Sequence, residues 1–240
     1  MKSIDEVLKS VTNKKLLVVF PHPDDESVMA GGIIQRALSL GFEVTVLTLT
    51  EGGRGEIHVS GKGRTLTEIR RQEMAEAMSR LGVADWIMWK FDDGKLRRTQ
   101  RWRERLADFI HSTSPGIIVT YDLSGVSGHP DHISAALEIH RTIRRMKGVK
   151  LLWVSFEGEM SHRVVDKRVE GYLQTPKYIL EMSLSESWSK WRAVFAHKSQ
   201  NLRGFLKSPW WYLVWTARTE WYSEAEPRRK YRYKFAKFKI

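Results

Sequence analysis

The stretch VVFPHPDDESVMAGG, Val18 to Gly32, joins a short apolar run to a helical pattern. One imidazole and three carboxylates stand at that junction: His22, Asp24, Asp25 and Glu26. Adjacent carboxylates repel one another. This repulsion disfavours three of them side by side in a stretch that has only a structural role. The stretch therefore predicts a strand, a turn and a helix, with a cation held where the strand ends.

The composition limits the class of protein. The chain has 240 residues, 42% of them hydrophobic, which suffices for one good core but is short for two full domains. It has no cysteine, so any metal must be held by nitrogen and oxygen. No stretch approaches the length of a membrane-spanning helix. We expect a cytoplasmic protein with one domain over residues 1–240, comprising a core of about 14–200 and a C-terminal segment, 201–240.

Short apolar runs alternate with helical patterns along the chain. Strands are predicted at Leu16–Phe20, Glu43–Thr50, Trp86–Phe91, Gly116–Asp122 and Leu151–Phe156, and helices at Glu26–Leu40, Thr65–Leu81, Trp102–Ser112 and Asp131–Lys147. Each strand must return across the sheet through a covering helix. The alternation therefore predicts an α/β fold with a mainly parallel, doubly wound sheet and helices on both faces.

A second polar cluster, SGHPDH over residues 127–132, follows another predicted strand. Ligands of such sheets bind beyond the carboxyl ends of the strands. We therefore expect the two clusters to meet. Two imidazoles and one carboxylate are the set that catalytic zinc uses when a fourth position stays open for water, which selects His22, Asp25 and His132 as ligands of one divalent ion.

Three polar side chains of the two clusters are left without a role by this selection: Asp24, His129 and Asp131. They have the right chemistry for general acid and base catalysis. Each cluster alone could instead be a turn that caps the following helix. Their occurrence as a pair, at equivalent ends of two strands, favours the metal site.

The motifs resemble those of the PIG-L/LmbE family of zinc-dependent N-acetylglucosaminyl deacetylases, amide hydrolases with a Rossmann-like fold. The resemblance spans most of residues 14–200. It is carried by PHPDDE (Pro21–Glu26), TEGGRGE (Thr50–Glu56), RRQE before LGV (Arg70–Glu73, Leu81–Val83), DDG (Asp92–Gly94), GHPDH (Gly128–His132) and AHKSQ (Ala196–Gln200). The first and fifth motifs are the specific ones.

The resemblance implies catalytic roles for the polar residues of both clusters. His22, Asp25 and His132 would bind Zn²⁺, and Asp24 would be the general base. His129 would stabilise the oxyanion or donate a proton, in a cationic form that Asp131 orients. Removal of the acetyl group from an N-acetylglucosamine-type substrate would then release acetate and a free amine.

Three further residues are candidates for contacts with the sugar. In the family an arginine at the position of Arg70 approaches the sugar, although an ion pair of Arg70 with Glu73 or Glu76 on a solvated helix face is the alternative. The resemblance also makes Asp93 a candidate for sugar hydroxyls. His197 matches a histidine near the pocket, although packing or hydrogen bonding would explain it as well.

The C-terminal segment lies outside the resemblance. Residues 208–222 carry four tryptophans, and RRKYRYKFAKFK, residues 228–239, carries seven basic residues of a chain with a net charge of +12. The alternation in KYRYKF suits an edge strand, whereas tryptophan with basic residues suits an anionic membrane surface. Nucleic-acid binding lacks a motif, and homo-oligomerisation stays open. A zinc hydrolase of another small or lipid-linked amide, or a non-catalytic glycan- or membrane-binding protein, is the alternative function.

Overall fold

A computed structural model describes residues 1–54, 63–200, 209–226, 229 and 231, and those residues form one mixed sheet flanked by helices. The strands are β1 (Lys2–Ser3), β2 (Lys15–Phe20), β3 (Glu43–Thr50), β4 (Asp85–Phe91), β5 (Ile117–Tyr121), β6 (Lys150–Ser155), β7 (Tyr178–Glu181) and β8 (Thr219–Glu224). Their order across the sheet is β1-β7-β8-β6-β5-β2-β3-β4. All pairs are parallel except those that β8 makes with β6 and β7. The predicted α/β class with a mainly parallel sheet is confirmed.

The helices lie between the strands as the alternation predicts. They are α1 (Ile4–Ser10), α2 (Asp25–Ser39), α3 (Leu66–Leu81), α4 (Arg101–Thr113), α5 (Gly125–Gly128), α6 (Pro130–Ile143), α7 (Glu159–Val164), α8 (Leu184–Val194) and α9 (Trp210–Thr216), with single 3₁₀ turns at Glu170–Tyr172 and Lys198–Gln200. α3 begins with a capping box in which Thr65 and Glu68 bond reciprocally to each other's backbone N–H groups. Predicted and observed boundaries of the four predicted helices differ by a few residues at most.

Two apolar clusters cover the two faces of the sheet. One face packs strand residues such as Val18, Val46 and Val119 against α2 and α3. The opposite face packs Leu17, Leu47 and others against α4 and α6. Successive side chains of a strand point to opposite faces, so strands covered on both sides must be apolar throughout. Five consecutive residues of β2 are buried for this reason.

The strand β8 was not predicted from the sequence. It inserts between β6 and β7 and pairs antiparallel with both, so part of the C-terminal segment lies inside the sheet. The sheet thus extends beyond the predicted core of residues 14–200. The predicted edge strand KYRYKF lies outside the described residues, apart from Tyr231, whose ring contacts Trp153. In the described part of the chain, helices are too short or too polar to cross a bilayer.

Candidate active site

The ring nitrogens of two distant histidines face each other at the carboxyl ends of β2 and β5. His22 Nδ1 lies 3.1 Å from His132 Nε2. Oδ2 of Asp25, at the start of α2, lies 3.5 Å from His22 Nδ1 and 3.7 Å from His132 Nε2. The two turns that the sequence places at one edge of the sheet therefore meet.

This triangle of donor atoms fits a small divalent cation. Tetrahedral zinc with bonds of about 2.0–2.1 Å holds its ligand atoms about 3.3–3.4 Å apart, and the observed separations lie on both sides of that value. Burial lowers the pKa of His132 to about 4, so its ring is neutral at pH 7 and can donate a lone pair. Despite burial, the adjacent histidines hold the pKa of Asp25 well below its usual range, so Asp25 is ionised.

Buried groups behind the three donor residues fix their orientation. Tyr121 donates a hydrogen bond to Asp25 Oδ1 over 2.5 Å, and its ring stacks on His132 with centroids 4.1 Å apart. His132 Nδ1 lies 2.9 Å from the carbonyl oxygen of Gly125, which places the proton on Nδ1 and leaves Nε2 for the cation. Gly125 has φ +57°, and a Cβ there would lie 2.9 Å from His132 Cβ. Only glycine allows this close approach.

Asp24 lies beside His22 and Asp25 in a strained backbone conformation. Its φ is 111°, a region that residues with a side chain rarely adopt. The buried carboxylate of Glu26 accepts the backbone N–H of Asp24 over 3.2 Å. Burial and the neighbouring Asp25 raise the pKa of Asp24 to about 7. Asp24 is thus held next to the ligands without being one of the three donors described above.

The geometry of the GHPDH turn differs from the expected pairing of Asp131 with a cationic His129. The Asp131 carboxylate is fully buried and accepts N–H bonds from Gly94 (2.7 Å) and Leu96 (3.0 Å). The ring of His129 instead accepts the backbone N–H of Asp131 at Nδ1, over 3.2 Å. Because Nδ1 is an acceptor, a proton on Nε2 makes the ring neutral, and burial also lowers the pKa of His129. The carboxylate of Asp131 therefore fixes the loop after β4, and Asp131 contacts the ring of His129 through its backbone N–H.

A cavity of about 440 Å³ opens beside these groups. It is lined by His22, Asp24, Asp25, Arg54, Arg70, Asp93, Gly94, His129, Pro130 and Gln200. The pocket therefore contains both histidine-bearing turns and two arginines. It brings together all the predicted site residues except Asp131, His132 and His197, which lie behind its lining.

The side chain of Arg70 reaches this cavity by passing close to Gly52, in the loop after β3. It is 5% exposed and bonds to the side-chain oxygen of Gln200. A Cβ on Gly52 would lie 1.8 Å from its guanidinium, so glycine is required for this path. The alternative of a solvated ion pair with Glu73 or Glu76 is wrong, because Glu73 accepts hydrogen bonds from Ser199 and Glu76 pairs with Arg80.

Asp93 lies against the turn that contains His22. Its Oδ1 is 3.0 Å from His22 Nε2, and Oδ2 accepts the backbone N–H of Arg54 over 3.0 Å. Asp131 Oδ2 lies 3.5 Å from the same ring nitrogen of His22. Carboxylates on the far nitrogen of a ligand histidine orient the ring towards its metal. Asp93 thus borders the cavity and supports His22, whereas the adjacent Asp92 is exposed and pairs with Lys95.

His197 lies behind the cavity lining. It is 1% exposed, and its Nε2 is 3.3 Å from Glu26 Oε1 and 3.4 Å from Ser27 Oγ. Burial lowers its pKa, but the Glu26 carboxylate outweighs this effect and raises the pKa above the usual value. In this geometry His197 contacts the residue that holds Asp24. The contacts of Tyr121 and Gln200 were not predicted, because their partners Asp25 and Arg70 lie 96 and 130 residues away. The contact of Gly125 with His132, seven residues away, depends on the conformation of the turn between β5 and α6.

The fold and the site together define a class, an α/β protein with a mainly parallel sheet and a candidate histidine and aspartate metal site at its strand ends. Residues 17–144 match the family model described as PIG-L, GlcNAc-PI de-N-acetylase. That match covers more than half of the chain. The chain belongs to the PIG-L family.

Curated relatives carry the names of deacetylases. A 1D-myo-inositol 2-acetamido-2-deoxy-alpha-D-glucopyranoside deacetylase of Thermobispora bispora is 34% identical over 52% of this chain and 50% of its own length. A probable N-acetyl-alpha-D-glucosaminyl L-malate deacetylase 2 of Bacillus cereus is 31% identical over 78% of this chain and 84% of its own length. The chain spans about half the length of the inositol-glycoside deacetylases that it matches.

Solved structures share the fold at low sequence identity. The N,N'-diacetylchitobiose deacetylase of Pyrococcus horikoshii gives a TM-score of 0.70 at 21% identity, over 93% of this chain and 90% of that one. GalB, the 4-carboxy-2-hydroxymuconate hydratase of Pseudomonas putida, gives 0.62 at 20% identity, over 92% and 100%. Proteins with different reactions therefore share this fold. The reaction must be inferred from the residues of the site.

Proposed function

We propose that the chain is a zinc-dependent deacetylase that hydrolyses the acetamide of an N-acetylglucosamine-type substrate. The observation that supports this best is the donor triangle of His22, Asp25 and His132 beside Asp24, at the edge of a cavity large enough for a sugar. A bound Zn²⁺ would polarise the acetamide carbonyl and lower the pKa of water. The names of the relatives support an amino-sugar substrate.

The side chains around the triangle can move the protons that hydrolysis requires. Asp24 accepts a proton from the attacking water as the oxygen bonds to the carbonyl carbon. The neutral ring of His129 stabilises the developing oxyanion by a hydrogen bond from its Nε2–H and keeps that proton. The C–N bond then breaks, and the nitrogen takes the proton from Asp24, so that acetate and a free amine leave. Arg70 and Asp93 offer a donor and an acceptor for the sugar hydroxyls.

The experiment combines metal analysis with acetate release. The substrates are N-acetylglucosamine linked to inositol, to malate or to a second sugar, with a non-sugar N-acetyl amide as comparison. We expect Asp24→Asn to keep its zinc and to lose about 10²–10⁴-fold in kcat, the usual contribution of a general base. Asp108→Asn, an exposed carboxylate on α4, is the matched control and should keep both zinc and turnover.

The outcomes separate the base, the metal and the substrate. An Asp24→Asn variant that hydrolyses at the parental rate would overturn the assignment of the base. Parental protein that stays free of zinc after incubation with excess metal would overturn the metal site. Turnover of the non-sugar amide alone would replace the sugar substrate by another acyl amine. Absence of acetate from every substrate, with zinc bound, would refute the deacetylase and favour a binding protein.

A further inference from the structure

Most of the exposed large apolar side chains among the described residues lie on one surface. Five of the seven such residues lie on α8 and α9: Leu184, Trp188, Trp211, Tyr212 and Trp215. We call this surface the tryptophan patch. Trp211 is 57% exposed and Trp215 is 63% exposed. Single exposed apolar residues need no explanation, but a contiguous aromatic surface marks a site of interaction.

The patch rests on a packed base. Beneath it, Trp191, Phe195, Leu213 and Val214 form a small apolar cluster between α8 and α9. The hydroxyl of Ser187 on α8 donates to the carbonyl oxygen of Val214 over 2.8 Å, and the indole of Trp191 donates to Ala217 over 3.2 Å. The two helices are thus joined by side-chain hydrogen bonds as well as by apolar packing. The exposed aromatic rings therefore project from a fixed platform.

The groove between the two helices is almost entirely apolar. Its volume is about 330 Å³, and its walls are Leu184, Ser185, Trp188, Trp211, Val214 and Trp215. Besides the indole N–H groups, only the hydroxyl of Ser185 offers a polar side-chain atom. Recognition of a glycan depends on several convergent hydrogen-bonding groups as well as aromatic rings. The groove is thus better suited to hydrocarbon than to sugar.

The exposed charge on α8 and α9 is basic. From Ser187 to Thr219 the sequence holds no aspartate or glutamate, and of the basic residues described there Arg192 and Lys198 are exposed, whereas Lys190 is buried and bound to Glu220 over 2.7 Å. Arg192 is exposed and follows Leu184 and Trp188 at intervals of four residues, on the same side of α8. The preceding acid, Glu186, is buried and bound to Arg36 over 2.6 Å. Its charge is therefore compensated within the protein.

These features together select an anionic bilayer as the partner. Tryptophan and tyrosine favour the boundary between headgroups and acyl chains, and basic residues at that depth attract anionic lipids. A second copy of the chain fits less well, because a two-fold contact brings equivalent surfaces together. Arg192 of both copies would then meet, and neither α8 nor α9 has an exposed acid to pair with it. We propose that the tryptophan patch docks the protein on the surface of anionic membranes.

Vesicle flotation tests the proposal on the full chain, with zinc bound. The vesicles contain phosphatidylcholine alone or phosphatidylcholine mixed with phosphatidylglycerol. We expect the parent to bind the anionic vesicles preferentially and to dissociate as salt rises, because salt screens the charges. Trp211→Ser with Trp215→Ser should lower the partition coefficient at least about tenfold, which corresponds to about 1.4 kcal/mol. Met160→Ser, at an exposed methionine outside the patch, is the control and should bind like the parent.

Three results would overturn the proposal. The first is parental protein that does not float with anionic vesicles. The second is a double tryptophan variant that floats as the parent does. The third is a double variant that changes the oligomeric state, measured by light scattering, while vesicle binding stays the same, since this would assign the patch to a second copy. Circular dichroism and zinc content of the variants show whether the fold is intact. Because no turnover is measured, failure of the proposed deacetylase does not affect the result.

Discussion

His197 and Glu26 form an ion pair in the protein interior. His197 Nε2 lies 3.3 Å from Glu26 Oε1, and both side chains are buried. The pair joins the turn after α8 to the first turn of α2. The other oxygen of Glu26 accepts the backbone N–H of Asp24, whose φ of 111° is strained. Strain of this kind persists only where surrounding structure enforces it. Glu26, which contacts His197 through one oxygen and Asp24 through the other, therefore helps to hold the proposed base in place.

The first prediction concerns this ion pair. His197→Phe leaves Glu26 buried without its cation, so we expect a loss of about 3–5 kcal/mol in the free energy of unfolding. Glu26→Gln removes the charge but keeps an oxygen for the N–H of Asp24, and should cost less. The double variant should be more stable than the sum of the two losses predicts, with a coupling energy of about 1–3 kcal/mol. Urea unfolding of the four proteins measures this cycle.

Two variants of Glu26 test whether its side chain positions the base. If it does, Glu26→Leu, which removes the acceptor for the N–H of Asp24, should lower kcat, whereas Glu26→Gln, which keeps an acceptor, should retain most of it. KM should change little in both variants. A purely structural role would lower the amount of folded protein and leave the kcat of the folded fraction unchanged. Additive losses in the unfolding cycle would contradict the coupling.

The second prediction concerns the metal affinity. Tyr121→Phe removes the hydroxyl that donates to Asp25 Oδ1 but keeps the ring that stacks on His132. Loss of an outer hydrogen bond of this kind typically weakens metal binding about 10–100-fold. Competition with a zinc chelator of known affinity measures the change.

Tyr222→Phe is a control for this prediction. Tyr222 is also fully buried, and its hydroxyl donates to Glu220 over 2.5 Å. It contacts none of the three proposed ligands, so the variant should lose stability and keep its zinc affinity. Equal affinities in Tyr121→Phe and the parent would show that the hydroxyl does not support the ligand set.

The meeting of His22 and His132 could be predicted, because both clusters follow strands of one parallel sheet and such strand ends share an edge. The proposed ligand set rests on residue types alone. The pairing of Asp131 with His129 could not be predicted correctly, because the outcome depends on two backbone N–H groups, of Gly94 and Leu96, that another loop supplies. Local sequence gives the residues of a site, but it does not give their hydrogen-bond partners.

The strand β8 shows a second limit of sequence reasoning. Its six residues lie next to an aromatic and basic stretch that suggested a peripheral segment. In the structure Tyr222 is fully buried, and Glu220 is bound to Lys190 over 2.7 Å and to two backbone N–H groups of α2. A buried carboxylate is acceptable only with such partners, and those partners lie about 30 and 190 residues away in the chain. The alternation of apolar and polar residues along the sequence does not indicate such distant partners.

The third prediction compares two glycines with positive φ. Gly148, at φ +76°, has open space around its Cβ position, so Gly148→Ala should cost only the backbone strain, about 1–2 kcal/mol. Gly125→Ala adds a clash with His132 and Ile133, at 2.9 and 3.0 Å, and should cost about 1–3 kcal/mol more. Thermal unfolding measures both losses. Zinc affinity should fall in Gly125→Ala alone, because the clash displaces the ligand ring, and an equal fall in both variants would contradict the cradle assigned to Gly125.

The fourth prediction is a pH dependence of stability that belongs to His197. Glu26, Asp24 and Glu73 raise its pKa in the folded protein above the value of the unfolded chain, against the effect of burial. A histidine with a raised folded pKa contributes stability that is complete below about pH 6.5 and is lost as the pH rises through the folded value. The difference in unfolding free energy between the parent and His197→Phe should therefore shrink with rising pH in this window. Urea unfolding at fixed excess zinc measures the difference, since the metal ligands then titrate alike in both proteins. A difference that stays constant or grows would mean that His197 is neutral in the folded state and that Glu26 is held by its other hydrogen bonds alone.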